Sequence, residues 1–234
     1  MKLIHKVIPM LLVMFFSISL EVSASYKSSL YKVLYTSKDI EQVIVVRNTG
    51  PAENFKAIVS LYEKERSHWI GKVSYQGVIG KGGFTPSKKE GDTKTPIGKY
   101  SIGMAFGYAE KPSTMTWTYT KVGKNDYWID DPVSSDYNQW MYESGDPHKK
   151  WKSFERMNHP LYKYALVINH NRNPVIPNGG SAIFLHVWRD ENSSTIGCVA
   201  LEEKNVVDLL KRLDPNRRVV IVMGSETDII SALK

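Results

Sequence analysis

Short apolar runs separated by turn-forming residues dominate the first third of the chain. Residues 43–46, 57–62 and 69–73 are stretches of strand length, divided by pieces such as Asn48-Thr49-Gly50-Pro51. Runs of this length bounded by Gly, Pro and Asn predict antiparallel strands. Residues 80–98 are too rich in Gly, Pro and charge for regular structure, so they predict a long loop of the kind that carries function. Residues 113–160 are aromatic and polar with little periodicity, with Trp117, Tyr127, Trp128, Tyr137, Trp140, Tyr142 and Trp151 among them, which predicts an irregular insertion over the sheet. Two more strands are expected at 164–169 and 182–187, joined by the wide Pro- and Gly-rich connection 174–180. One helix is clearly marked, because Val206, Leu209, Leu210 and Leu213 recur at helical spacing behind Glu202 and Glu203 and ahead of Asp214-Pro215. A strand at 219–223 closes a mainly β domain.

The N-terminus is apolar for a different reason. Lys2 and Lys6 flank the start of a nearly continuous apolar run over 7–20, and Val22-Ser23-Ala24 supplies the small residues of a processing site. Residues 1–24 therefore read as an export signal and 25–234 as one mature domain, placed in the periplasm or the extracellular wall. The run falls short of the roughly 20 residues that cross a bilayer as a helix. With 31 Lys and Arg against 24 Asp and Glu, the chain carries a net charge of +7. In an exported protein this balance suits an anionic envelope polymer, and it suits simple solubility equally well. No Gly-Lys-Ser/Thr turn enters a helix, so nucleotide binding is disfavoured and no nucleic-acid partner is expected.

Cysteine usage is more informative. Exported proteins usually hold cysteines in disulfide pairs, yet this chain has one, Cys198. A lone thiol is either a small buried hydrophobe or a group kept for chemistry, and export favours the second. Cys198 stands just before the helix and His186 ends an apolar run twelve residues earlier. A thiol with an ordinary pKa of about 8.5 is a poor nucleophile until a neighbouring imidazole takes its proton. Gly197, lacking a Cβ, lets a bound carbonyl approach the N–H groups of 197 and 198, an oxyanion hole in outline. Of the six histidines, only His186 and His170 are well placed as bases. Metal ligation is not expected, since no His-x-x-x-His or Cys-x-x-Cys pairing occurs, and no cofactor is implied. Asp130, Asp131 and Glu143 lie among aromatics, but such acids more often cap loops than hydrolyse sugars.

His186 followed by Thr195-Ile196-Gly197-Cys198 resembles the signature of the L,D-transpeptidase family, the YkuD-type catalytic domain. The resemblance extends from about 42 to 223 and includes Glu90-Gly91-Asp92-Thr93-Lys94-Thr95-Pro96-Ile97-Gly98, Tyr137-Asn138-Gln139-Trp140 and Gly197-Cys198-Val199-Ala200-Leu201. It implies an antiparallel β-sandwich with a helix packed on it and acyl transfer on peptidoglycan stem peptides. Cys198 is then the nucleophile, His186 the general base and Gly197 part of the oxyanion hole, while Tyr137, Asn138, Trp140 and Thr195 are candidates for substrate binding. Two departures mark a subgroup. The common motif has His where this chain has Ile196, and Asn or Arg shortly after the cysteine where it has Val199-Ala200. Transfer of the acyl group to water rather than an amine makes the same site an L,D-carboxypeptidase, and a non-catalytic wall-binding module is the reading from another class.

Overall fold

The computed structural model describes residues 24–50 and 54–234. The expected export signal lies, save for residue 24, outside the described residues. Among those residues no helix is long and apolar enough to cross a membrane.

After a helix at residues 24–36 (α1), the chain forms β1 (Gln42–Asn48), β2 (Lys56–Glu65) and β3 (His68–Val78). These contain the three expected strands. The Gly-rich loop holds a two-stranded element, β4 (Phe84–Thr85) with β5 (Thr95–Pro96), and leads into β6 (Gly98–Gly107) and β7 (Tyr119–Lys121). The aromatic insertion is more ordered than its composition suggests: β8 (Asp126–Ile129), β9 (Trp140–Tyr142) and β10 (Phe154–Arg156) build a small sheet in the order β10-β8-β9. Then come β11 (Ala165–Ile168), β12 (Phe184–Val187), β13 (Val199–Leu201), the expected helix α2 (Glu203–Arg212), β14 (Val219–Gly224) and α3 (Glu226–Leu233).

The main sheet runs β11-β12-β13-β3-β2-β1-β14-β6-β7, and β6 also pairs with β11. That pairing bends the sheet into a ring. The expected antiparallel sandwich is therefore corrected to a mixed, barrel-like sheet, in which β1 and β14, β12 and β13, and β6 and β7 run parallel. The parallel pairs arise because residues distant in sequence fill the ring, and single-strand patterns carry no direction.

Alternation explains the continuous apolar runs. Ile44 and Val46, Leu166 and Ile168, and Leu185 join one cluster with Val206, Leu209 and Leu210 of α2. Their neighbours Val43 and Val45 face the other way, against Leu30, Val33 and Leu34 of α1 and Ile229 and Leu233 of α3. Ala165, Val167 and Phe184 meet Trp128, Met157 and Tyr162 from the insertion. Both faces of these strands are covered, so neither face needs polar residues.

Candidate active site

Parallel pairing of β12 and β13 sets Leu185 opposite Val199 and His186 opposite Ala200. Side chains two residues apart share a face. His186, Ala200, Cys198 and Phe184 thus point away from the core that Leu185 and Val199 enter. Ideal strand spacing puts the Cα atoms of His186 and Cys198 about 8 Å apart. Both line a cavity of about 460 Å³ together with Glu155, Tyr162, His159, Arg189, Thr195 and Ile196.

The Cys198 thiol donates to the Ala182 carbonyl at 3.2 Å, and Sγ accepts from the Phe184 N–H at 3.4 Å. Burial pushes the thiol up to about 12, and the nearby Glu155 charge adds to the rise. His186 Nδ1 lies 2.8 Å from the Val187 carbonyl oxygen. A carbonyl only accepts, so Nδ1 carries the hydrogen and Nε2 keeps the lone pair. Burial pulls this imidazole down to about 4. A neutral thiol and a neutral imidazole thus face the same cavity, and the Tyr162 ring packs on His186 with centroids 5.4 Å apart.

The Gly-rich loop braces the segment that carries Cys198. Thr95, fully buried, donates through Oγ1 to the Gly197 carbonyl at 2.9 Å and accepts from the Gly80 N–H at 2.9 Å. Thr195 N–H donates to Ile79 O at 3.0 Å and Lys81 N–H to Thr195 O at 2.9 Å. Lys88, only 4% exposed, pairs with Asp92 at 2.5 Å. Its stem passes Gly180, and its ammonium ends where a Cβ on Gly197 would lie 3.2 Å away. Gly197 has φ +146 and such a Cβ would also meet Lys94 O at 3.0 Å. Packing beneath the loop, as well as the substrate side, requires glycine there.

The remaining candidates divide. Thr195 lines the cavity, but its Oγ1 donates to the Cys198 carbonyl at 2.6 Å and accepts from the Gly197 N–H at 3.1 Å. The Gly197 N–H is therefore already engaged. Tyr137, Asn138 and Trp140 are not in the cavity wall. Tyr137 donates to Glu90, and Trp140 packs on Phe106 and donates to Asp126 at 3.0 Å. Buried Asn138 accepts from Trp128 Nε1 at 2.9 Å and the Ala182 N–H at 3.2 Å, so it braces the residue that holds the thiol. His170 lies outside the cavity, its Nε2 on Gly179 O at 2.9 Å. Asp131 accepts from the N–H groups of Val133 and Lys152, and Glu143 from Gly145, as loop caps. The described residues hold no group of three or more His, Cys, Asp or Glu arranged to grip a metal ion. Sequence reasoning missed Glu155, Tyr162, Thr95 and Lys88; of these, only Thr95 and its neighbours carried a motif that could have drawn notice.

The profile of the L,D-transpeptidase catalytic domain family, YkuD, matches residues 39–221, most of the chain. The protein belongs to this family. L,D-transpeptidases as a family act on the stem peptides of peptidoglycan. No curated protein matches the chain. Among solved structures, that of Bdellovibrio bacteriovorus Bd1075 is similar at 15% identity and a TM-score of 0.41, over 80% of this chain and 48% of that one. This L,D-transpeptidase domain protein thus spans about half the length of that relative.

Proposed function

We propose that the protein is a cysteine-dependent L,D-transpeptidase, forming a thioester between Cys198 and the third residue of a peptidoglycan stem, releasing D-Ala and making a cross-link. The observation that carries this reading is the placement of His186 on β12 and of Cys198 immediately before the adjacent β13, in one cavity, with Nε2 of His186 left as the basic nitrogen.

A thiol near 12 beside an imidazole near 4 does not ionise on its own at neutral pH. Proton transfer therefore accompanies attack. As the stem carbonyl enters and displaces water, Sγ bonds to carbon while Nε2 takes the thiol proton. The Cys198 N–H faces the oxyanion with little help from the engaged Gly197 N–H, and the Lys88 ammonium beneath the loop lowers the cost of negative charge. The imidazolium then protonates the departing amine of D-Ala, and an acceptor amine resolves the thioester. We also infer export, on the charge and apolar run of residues 1–24.

The test incubates purified protein with tetrapeptide-bearing muropeptides and follows intact mass and products. A D-Ala-less adduct on Cys198, absent in Cys198→Ala, with cross-linked dimers supports transpeptidation. Tripeptides alone indicate an L,D-carboxypeptidase. Binding to sacculi without an adduct or product indicates a wall-binding module and overturns catalysis.

A further inference from the structure

Glu155 lies in the wall of the cavity that holds Cys198 and His186, and nothing in the acylation step uses its charge. Strand alternation aims it there. On either side of it in β10, Phe154 and Arg156 turn toward Tyr127: the Phe154 ring packs edge-on against it and the Arg156 guanidinium lies 5.2 Å from the Tyr127 ring centre and donates to its hydroxyl at 2.9 Å. Glu155 points the other way, and its carboxylate accepts from the Tyr162 hydroxyl. The Tyr162 ring in turn packs against His186.

Among the described residues no Lys, Arg or His forms an ion pair with Glu155. Burial, with the charges of Asp130 and Glu90, raises its carboxyl up to about 7. The other charged groups lining the cavity make no ion pair with it: Arg156 is exposed and donates to the Tyr127 hydroxyl at 2.9 Å. His186 is neutral, burial and Arg189 hold His159 below its ordinary value, and Arg189 is exposed at the rim. Ionising a carboxyl without a cation in this wall is costly, and a glutamine would satisfy Tyr162 without that cost. The charge therefore has its use in a bound state.

We propose that Glu155 is the subsite for the primary ammonium of the acceptor and removes its proton before attack on the thioester. The inference rests on the proposed transpeptidase reading. In the step, the ammonium gives one proton to the Glu155 carboxylate. The freed amine attacks the thioester carbonyl, the C–N bond forms and the C–S bond breaks. A second proton passes from nitrogen through His186 Nε2 to the leaving thiolate, and the third stays on the new amide. Cys198 ends as a thiol and Glu155 as an acid, which returns its proton to solvent.

Glu155→Gln keeps an oxygen for Tyr162 and removes the charge. Urea unfolding serves as the control for folding, and with tetrapeptide muropeptide as donor thioester formation, read by intact mass, should not fall, because losing the Glu155 charge makes the Cys198 thiol easier to ionise. Aminolysis by a muropeptide amine should fall by about 10²-fold relative to hydrolysis, the usual scale for a lost proton-transfer group. Hydroxylamine, whose nitrogen is already unprotonated at neutral pH, should resolve the thioester equally fast in both proteins. An unchanged ratio of aminolysis to hydrolysis in Glu155→Gln overturns the inference, as does a thioester that the unaltered protein resolves only with water. Failure of the unaltered protein to form any thioester instead overturns the transpeptidase reading beneath it.

Discussion

Thr95 and Gly197 are joined by a hydrogen bond from the Thr95 hydroxyl to the Gly197 carbonyl, 2.9 Å long and closed between residues 102 positions apart. The same oxygen accepts from the Gly80 N–H, so one buried hydroxyl ties two segments of the Gly-rich loop to the residue before Cys198. Thr95→Val leaves a buried donor and a buried acceptor unpaired, and the expected loss is about 1–3 kcal/mol of stability for each group that finds no water. Thr95→Ser should keep both bonds. Urea unfolding of the two variants, with the rate of Cys198 adduct formation alongside, checks the pair: Val should lose both quantities and Ser should lose little of either.

The thiol and imidazole set a pH dependence with a definite sign. The folded thiol is raised from 9.0 to about 12, so stability is fully present below 9 and declines as pH climbs toward 12 and the unfolded thiol ionises first. The folded imidazole is lowered from 6.5 to about 4, so its contribution is present above 6.5 and is lost as pH falls toward 4. Several tyrosines also titrate late, among them Tyr100, raised to about 12, so the thiol's share is the difference between the unaltered protein and Cys198→Ser. Alkylation of Cys198 by iodoacetamide should keep accelerating through pH 10 without levelling. A plateau near pH 7 would mean a resting thiolate–imidazolium pair and contradict the neutral pair derived above.

Lys88 tests how much the loop behind Gly197 contributes. Removing it as Lys88→Met leaves Asp92 with the N–H groups of Lys89 and Lys94, each 2.9 Å away, and with partial exposure. The destabilisation should therefore fall below the 3–5 kcal/mol typical of a broken, fully buried pair. Losing the cation also raises the Cys198 thiol further, so alkylation at pH 9 should slow. A double-mutant cycle with Asp92→Asn separates the ion pair from the effect on the thiol, because the second should persist in the Asp92→Asn background.

What the sequence discloses follows from how local each feature is. The strands β1, β2, β11 and β12 announce themselves because burial of both faces makes their apolar runs continuous, and α2 because Val206, Leu209 and Leu210 face one core. β6 is hidden by Gly98, Tyr100, Ser101 and Gly103, residues that suit a strand only because β14 and β11 supply its partners. The helix α3 did leave a local signal, the reciprocal cap between Ser225 and Asp228. Cys198 and His186 stand out through residue type and order. Glu155 does not, since its meaning comes from the Tyr162 hydroxyl and from a cavity wall assembled by the insertion and β12. Asn138 shows the converse: a residue in a recognisable motif whose amide is spent on Ala182, Trp128 and the backbone at 170 and 171.

Ile196 offers a last test, this time of the substrate side. It is 75% exposed on the loop that carries Cys198 and it lines the cavity mouth, at the position where the common motif has histidine. A side chain so exposed contributes little to folding, so Ile196→Ala and Ile196→His should leave unfolding within about 0.5 kcal/mol of the unaltered protein. An apolar group held at the entrance acts on whatever passes it. If the stem packs on Ile196 equally in the ground and transition states, Ile196→Ala raises KM with kcat unchanged, because only uniform binding is lost. Ile196→His places a polar ring where the apolar contact was and should raise KM in the same way. Steady-state kinetics on tetrapeptide muropeptides reads the split; a fall in kcat at constant KM would instead place Ile196 in the positioning of the Cys198 loop itself.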